Sequence, residues 1–207
     1  IDQHHARAAD DGTRIVPLCG FDSIPSDLGT WMVVDWIRRE WQQPTRAVRS
    51  AFRLGGGGLN GGTVASALNM AEQGEARALA NPLLLVPHAL RDRVDGARPR
   101  RSAGADEALD AWLAPFVMAP INQHVVLRSA ALWAERGAPY GPGFAYDEGL
   151  ELKRPLAAMA VAVGSRVGDR LLRSRTGRGL LRRLAPAPGE GPSEEQMASG
   201  WFRVRLL

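Results

Sequence analysis

The chain has 207 residues, of which 45% are hydrophobic and 23% charged, and its formal net charge at pH 7 is +4. This composition excludes a wholly disordered or low-complexity chain and leaves enough apolar residues for one sizeable core. The single cysteine, Cys19, excludes an internal disulfide framework and is typical of a reducing compartment, so we expect a cytoplasmic protein.

The predicted elements begin with a helix, a strand, a tight turn and a second helix, over residues 2–11, 14–19, 20–25 and 28–41. Ser26 and Asp27 are residue types that favour the N-cap of the second helix. A strand that turns tightly into a helix is half of a βαβ arrangement, so the first part of the chain indicates an α/β fold.

The rest of the chain alternates between strands and helices. Strands are predicted over residues 46–54, 144–152 and 201–207. Helices are predicted over residues 63–80, 105–113, 121–136, 156–175 and 177–184, and the Arg-rich stretch 87–104 is predicted to be an exposed excursion.

The turn at residues 19–29, with the sequence CGFDSIPSDLG, is the first candidate site. Ligands of open α/β sheets bind beyond the carboxyl ends of strands, and the free N–H groups of a helix N-terminus attract anions or polar oxygens. Gly20 would allow a ligand to approach the backbone closely. The alternative is that Ser23, Ser26 and Asp27 are only turn and cap residues.

A glycine-rich loop at residues 55–62 is the second candidate. It lacks the lysine of a phosphate-binding loop, and no acidic residue follows at the end of a next strand, as a dinucleotide fingerprint requires. Two interpretations remain, a flexible wall of a ligand pocket beside Thr63 and Ser66, or a purely structural turn.

The histidines do not indicate a metal site, because no His-x-x-x-His or Cys-x-x-Cys spacing occurs. No Gly-x-Ser-x-Gly elbow indicates a serine hydrolase. We therefore expect no bound metal.

A basic segment begins at Arg166 and ends at Arg183, with four leucines and one valine between its seven arginines. Because the positive charge is concentrated there, no broad basic face for nucleic acid is expected. The segment suits a helix lying on the inner, anionic face of the plasma membrane. The alternative is a solvated amphipathic helix that packs its leucines on its own domain.

The motif at residues 19–29 resembles the signature of the saccharopine dehydrogenase-like oxidoreductases, in particular the bacterial trans-acting enoyl reductase branch. Four further segments resemble the family in the same order: GGTVAS at 61–66, PFVMAPIN with VLRS at 115–129, YG with FAYDE at 140–148, and GWF at 200–202.

The resemblance implies the end of an NAD(P)-binding Rossmann domain, residues 1–22, followed by a mixed-sheet α+β domain for substrate and dimerisation, residues 23–207. The first-strand glycine fingerprint of the family is absent and the second domain also ends early. We therefore expect a fragment of an oxidoreductase that is inactive by itself.

The resemblance also implies roles for individual residues. Gly62, Thr63 and Ser66 would line the substrate side, and the turn residues would face the nicotinamide of an NAD(P) cofactor, with NADPH expected: Cys19, Gly20, Phe21, Asp22, Ser23 and Pro25. The cofactor would supply the hydride. Reduction of an enoyl group also needs a proton donor. The sequence does not select among four residues that carry a suitable group: Tyr140, Tyr146, His124 and Lys153.

The expected function is NAD(P)-dependent reduction of an enoyl C=C bond in a lipid or polyketide-type intermediate, free or linked to a carrier. Two alternatives remain, a saccharopine-type reductase of amino-acid imines and a non-catalytic protein associated with a membrane surface. A homodimer is an assembly that the resemblance leaves open.

Overall fold

A computed structural model describes residues 2–20, 23–56, 61–74, 76–96, 99–187 and 189–207. Its α-helices are α1 Asp2–Asp11, α2 Ile24–Trp41, α3 Gly61–Gln73, α4 Ala76–Leu79, α5 Ala119–Glu135, α6 Pro155–Arg173, α7 Arg175–Leu184 and α8 Glu194–Ser199. The strands are β1 Ala47–Gly55, β2 Gly104–Asp106, β3 Ala111–Ala114, β4 Ala145–Leu152 and β5 Trp201–Leu206.

The five strands form one mixed sheet in the order β2-β3-β4-β1-β5. The central strands β1 and β4 are parallel, with Ser50 beside Glu148 in the register, and the other neighbours are antiparallel. Parallel neighbours require a long crossover, which here includes α3 and α5. This sheet agrees with the predicted mixed α/β architecture, whereas a preceding Rossmann domain stays a prediction.

The sheet carries helices on both faces. On one face α2 and α5 cover β1 and β4, and their apolar side chains form the main core with Val34, Val48, Val126, Leu127 and Phe144. On the other face α6 packs over β2, β3 and β4. Alternate residues of a strand point to opposite faces, so Tyr146 and Glu148 lie on the α2 and α5 side.

Helix α2 begins earlier than predicted. Its N-cap is Ser23, and Pro25 and Asp27 lie in its first turn, where proline needs no N–H partner and an acidic side chain complements the helix dipole. The prediction of Ser26 or Asp27 as the N-cap is therefore wrong. Ser26 is instead completely buried against other parts of the chain.

Three further sequence predictions are wrong. Residues 13–19 form no strand, and Leu18 has a φ of 61°, which interrupts extended backbone. The helix predicted over residues 105–113 is the β2–β3 hairpin, with Asp110 in the left-handed region at a φ of 47°. The expected excursion at 87–104 contains Val94, which is buried and forms a bridge with Phe144.

Candidate functional site

The turn that precedes α2 is closed by its own backbone. The N–H groups of Ser23 and Ile24 both donate to the carbonyl oxygen of Gly20, at 3.2 and 3.1 Å. The first residues of the helix therefore hold the end of the preceding segment in a fixed turn.

The start of α2, directly after this turn, is hydrogen-bonded to a buried carboxylate on β4, that of Glu148. The Ser26 hydroxyl donates to Glu148 Oε2 at 2.6 Å, and the Tyr146 hydroxyl donates to the same oxygen at 2.5 Å. The Asn122 amide donates to Glu148 Oε1 at 2.8 Å, and its own oxygen accepts from the Ser23 hydroxyl at 3.0 Å. We call Ser23, Ser26, Asn122, Tyr146 and Glu148 the Glu148 network.

The Glu148 network is closed to solvent. Glu148 is 1% exposed, and none of the ion pairs of the described residues involves it. Burial raises the pKa of this carboxyl, and the hydrogen bonds from Ser26, Tyr146 and Asn122 oppose that rise without cancelling it. A carboxyl with three donors and no cation holds its neighbours in place, and in this structure its surface is closed to solvent.

Tyr146 shares this environment. Burial raises the pKa of its hydroxyl well above the ordinary value, and the charge of Glu148 raises it further. The hydroxyl therefore stays protonated and remains a donor. The Tyr146 carbonyl oxygen accepts from the Gln123 side chain at 2.8 Å, which ties α5 to β4 beside the network.

A second polar contact joins α2 to α5. The Ser129 hydroxyl donates to Asp27 Oδ2 at 3.0 Å. Burial raises the pKa of Asp27, and this hydrogen bond opposes the rise. Tyr140 lies close enough that the charge of Asp27 adds to burial in raising the pKa of its hydroxyl.

His124 is buried on α5, where its Nε2 lies 2.8 Å from the carbonyl oxygen of Asn81. Burial lowers the pKa of this imidazole, and the contact with Asn81 opposes the effect. The neutral ring therefore connects α5 to the segment that follows α4. In the described part of the chain, no group of histidine, cysteine and acidic side chains could hold a metal ion.

The turn residues predicted to contact cofactor divide into two groups. Cys19 and Gly20 are exposed, and the Cys19 thiol lies 3.4 Å from the carbonyl oxygen of Val16. Ser23 is buried and Pro25 half-buried. Phe21 and Asp22 lie outside the described residues. A bound ligand could therefore reach Cys19 and Gly20. Ser23 instead fixes the turn from the buried side, through its hydrogen bond to Asn122.

The residues predicted on the substrate side lie on α3. Thr63 and Ser66 are exposed one turn apart, and Gly62 is half-buried beside them. Gly61, which opens α3, donates its N–H to the carbonyl oxygen of Glu190 at 3.0 Å, and a Cβ there would overlap the carbonyl oxygen of Ala187. Residues 57–60 of the glycine-rich loop lie outside the described residues.

Three of the four candidate proton donors are buried. Tyr140, Tyr146 and His124 are at most 4% exposed, whereas Lys153 is exposed at the end of β4. Only Lys153 can therefore meet a ligand from solvent without a rearrangement.

Sequence reasoning did not single out Asn122 and Glu148 as site residues. Both nevertheless lie inside motifs that it recognised, PFVMAPIN at 115–122 and FAYDE at 144–148. The signal that could have identified them is a polar residue at the last position of each motif. The sequence could not show that Asn122 and Glu148 contact residues 23 and 26.

Comparisons with known proteins find relatives over nearly the whole length of this chain. A Mycobacterium ulcerans protein named trans-acting enoyl reductase is 35% identical over 227 residues, and the match covers 98% of this chain. A Mycobacterium bovis protein of the same name is 34% identical over 230 residues, also with 98% coverage. A Mycobacterium tuberculosis protein, provisionally named a trans-acting enoyl reductase, is 35% identical over 223 residues and 99% of this chain.

The chain spans about half the length of these curated relatives, 52% in each case. No protein-family model matches the chain. No solved structure matches it.

Proposed function

We propose that this chain forms the substrate-side part of an NAD(P)H-dependent enoyl reductase that acts on a lipid or polyketide-type intermediate. The observation that carries the proposal is the meeting of three motifs, residues 19–29, 115–122 and 144–148, in the Glu148 network. The relatives named trans-acting enoyl reductase match this chain over nearly its whole length, which supports the same assignment.

The exposed turn fits a cofactor at its nicotinamide end. Cys19 and Gly20 present backbone and a small side chain to solvent, which leaves room for a flat ring to approach. Ser23 cannot contact the ring, because its hydroxyl is buried on Asn122. The nicotinamide would supply the hydride in this reaction.

The protein would contribute position more than acid–base chemistry. In enoyl reduction a hydride adds to the carbon remote from the carbonyl and a proton adds to the carbon beside it. The Glu148 network would hold the turn rigidly while Thr63 and Ser66 contact the substrate from α3. Effective positioning of two reactants can account for several kcal/mol of a reaction barrier.

The test combines this chain with a complete relative. A chimera is made in which the chain replaces the matching segment of the Mycobacterium ulcerans protein. Binding of NADPH and NADH is measured by calorimetry, and oxidation of the bound cofactor is followed with enoyl thioesters and with cyclic imines. The proposal expects oxidation with an enoyl thioester.

Two outcomes contradict the proposal. A folded chimera that binds neither reduced nicotinamide would overturn the cofactor assignment. A chimera that binds NADPH but reduces only imines would overturn the enoyl substrate and favour the saccharopine-type alternative.

A further inference from the structure

Helix α6 exposes four of its large apolar residues to solvent. Its buried face carries the small side chains Ala158 and Ala162, which pack toward the sheet. Its solvent face carries Leu156, Met159, Val163 and Val167, which are 77%, 55%, 56% and 52% exposed. A surface helix normally turns its large apolar residues toward the core.

These four exposed residues form one continuous line. They are separated by three, four and four positions, and residues at this spacing lie above one another on an α-helix. We call them the α6 stripe. Leu180 and Leu184 of the following helix are also exposed, at 47% and 74%.

Arginines flank the α6 stripe without being neutralised. Arg166, Arg170 and Arg173 are exposed on the same helix and form no ion pair within the described part of the chain. Arg178 and Arg182 of α7 differ, because both lie against Glu72, at 3.7 and 2.5 Å. Three positive charges without an ion-pair partner therefore lie beside the stripe, and Asp169 is the one acidic residue of α6.

An exposed apolar line with unpaired arginines beside it is complementary to an anionic lipid surface, which offers acyl chains below a layer of negative headgroups. A second copy of this chain fits less well, because its α6 offers a single acidic residue, Asp169, to pair with three arginines. No helix among the described residues is long and apolar enough to cross a membrane.

We propose that the outer face of α6 binds the surface of an anionic phospholipid bilayer, with Leu156, Met159, Val163 and Val167 in the acyl boundary. Arg166, Arg170 and Arg173 then contact lipid phosphates or carboxylates. This inference is independent of the proposed reductase activity, because it uses none of the residues assigned to cofactor or substrate.

The test is co-sedimentation of the 207-residue chain with vesicles. Vesicles of phosphatidylglycerol and phosphatidylethanolamine are compared with vesicles of phosphatidylcholine alone, at low and at high salt. Binding is expected only to the anionic vesicles, and it should weaken as salt screens the arginines.

Two variants separate the contributions of charge and apolar contact. The triple variant Arg166→Glu, Arg170→Glu, Arg173→Glu should lower the partition coefficient by at least about 100-fold, because each lost arginine removes roughly a fivefold contribution and each new glutamate is repelled by the anionic surface. The double variant Leu156→Ser, Val163→Ser keeps the charge and should lower the partition coefficient by at least about tenfold, because it removes the apolar contact of two side chains. The matched control Arg7→Glu, Arg14→Glu, Arg101→Glu changes the net charge equally at exposed sites elsewhere and should change it far less.

Circular dichroism establishes that each variant keeps its helices, so a loss of binding reports on the surface. The proposal is overturned if the wild-type chain does not bind anionic vesicles at low salt, or if the control triple variant loses as much binding as the α6 triple variant. Sedimentation velocity provides the remaining test. A wild-type dimer that the Leu156→Ser, Val163→Ser variant converts to a monomer would assign the α6 stripe to self-association and overturn the proposal.

Discussion

The Ser26 hydroxyl donates a hydrogen bond to Glu148 Oε2 across 122 positions of the chain, at 2.6 Å. This contact connects the start of α2 to a central strand of the sheet. Both side chains are at most 1% exposed. The geometry of the proposed cofactor turn therefore depends on a buried carboxyl, and we expect Glu148 to act as a positioning residue.

Replacing Glu148 should destabilise the fold even though the change is nearly isosteric. In Glu148→Gln one carboxylate oxygen becomes an amide that must donate, whereas Ser26, Tyr146 and Asn122 all supply donors to this site. We expect a loss of about 1–3 kcal/mol in the free energy of unfolding, which urea denaturation measures.

The exposed Glu107→Gln variant is the control for that loss, and it should differ from wild type by less than about 0.5 kcal/mol. Equal stability of the two variants would show that the Glu148 network does not stabilise the fold.

The protonation of Glu148 predicts a pH dependence with a definite sign. Its pKa is higher in the folded chain than the ordinary 4.5, so the folded state binds this proton more tightly than the unfolded state. The resulting stabilisation is complete below about pH 4.5 and is lost as pH rises through the raised pKa.

The difference in unfolding free energy between wild type and Glu148→Gln should therefore decrease as pH rises above 4.5. Urea titrations at a series of pH values measure it. A difference that increases with pH over this range would mean that the folded protein prefers the ionised carboxylate.

The buried His124 predicts a pH dependence of stability with the opposite sign to that of Glu148. Its pKa is lowered from 6.5 by burial, so the folded chain binds this proton less tightly than the unfolded chain. Its stabilisation is present above about pH 6.5 and is lost as pH falls through the lowered pKa. His124→Gln should remove this part of the pH dependence, whereas His88→Gln, at an exposed histidine, should retain it. If the unfolding free energies of both variants depend on pH in the same way, the pH dependence does not come from His124.

The local patterns predicted most of the central elements but not the contacts between them. Alternation predicted β4 within one residue, and the apolar helix pattern placed α5 within two residues at its start. The β2–β3 hairpin was missed because its strands have only three and four residues, and Asp110 adopts a positive φ that alanine-rich neighbours do not signal.

The candidate site was predicted only in its exposed part. Cys19 and Gly20 could be recognised from a turn motif, because turn chemistry is local. The link from Ser23 to Asn122 joins positions 99 residues apart, and one sequence contains no signal for such a pairing. Ser26 was expected to cap α2 because serine is a common N-cap residue. Serine is equally suited to donate a buried hydrogen bond, as Ser26 does to Glu148, and only the tertiary structure decides between these two roles.

Two glycines, one crowded by backbone atoms and one facing open space, test how closely the chain packs around them. Gly141 lies beside Thr45, whose N–H donates to the Tyr140 carbonyl oxygen at 2.9 Å, and a Cβ at position 141 would overlap the Thr45 carbonyl oxygen. Because that oxygen belongs to the backbone, it cannot rotate away. Gly141→Ala should therefore destabilise the chain by about 1–3 kcal/mol.

Gly164 provides the matched substitution, because it lies inside α6 and a Cβ there would meet no atom within 4 Å apart from its own helix backbone. Gly164→Ala should stabilise the chain by about 0.5–1 kcal/mol, since alanine loses less backbone entropy than glycine when a helix forms. Thermal and urea unfolding of both variants measure the two effects together. If Gly141→Ala is as stable as wild type, the contact between residue 141 and the start of β1 is looser than the structure places it.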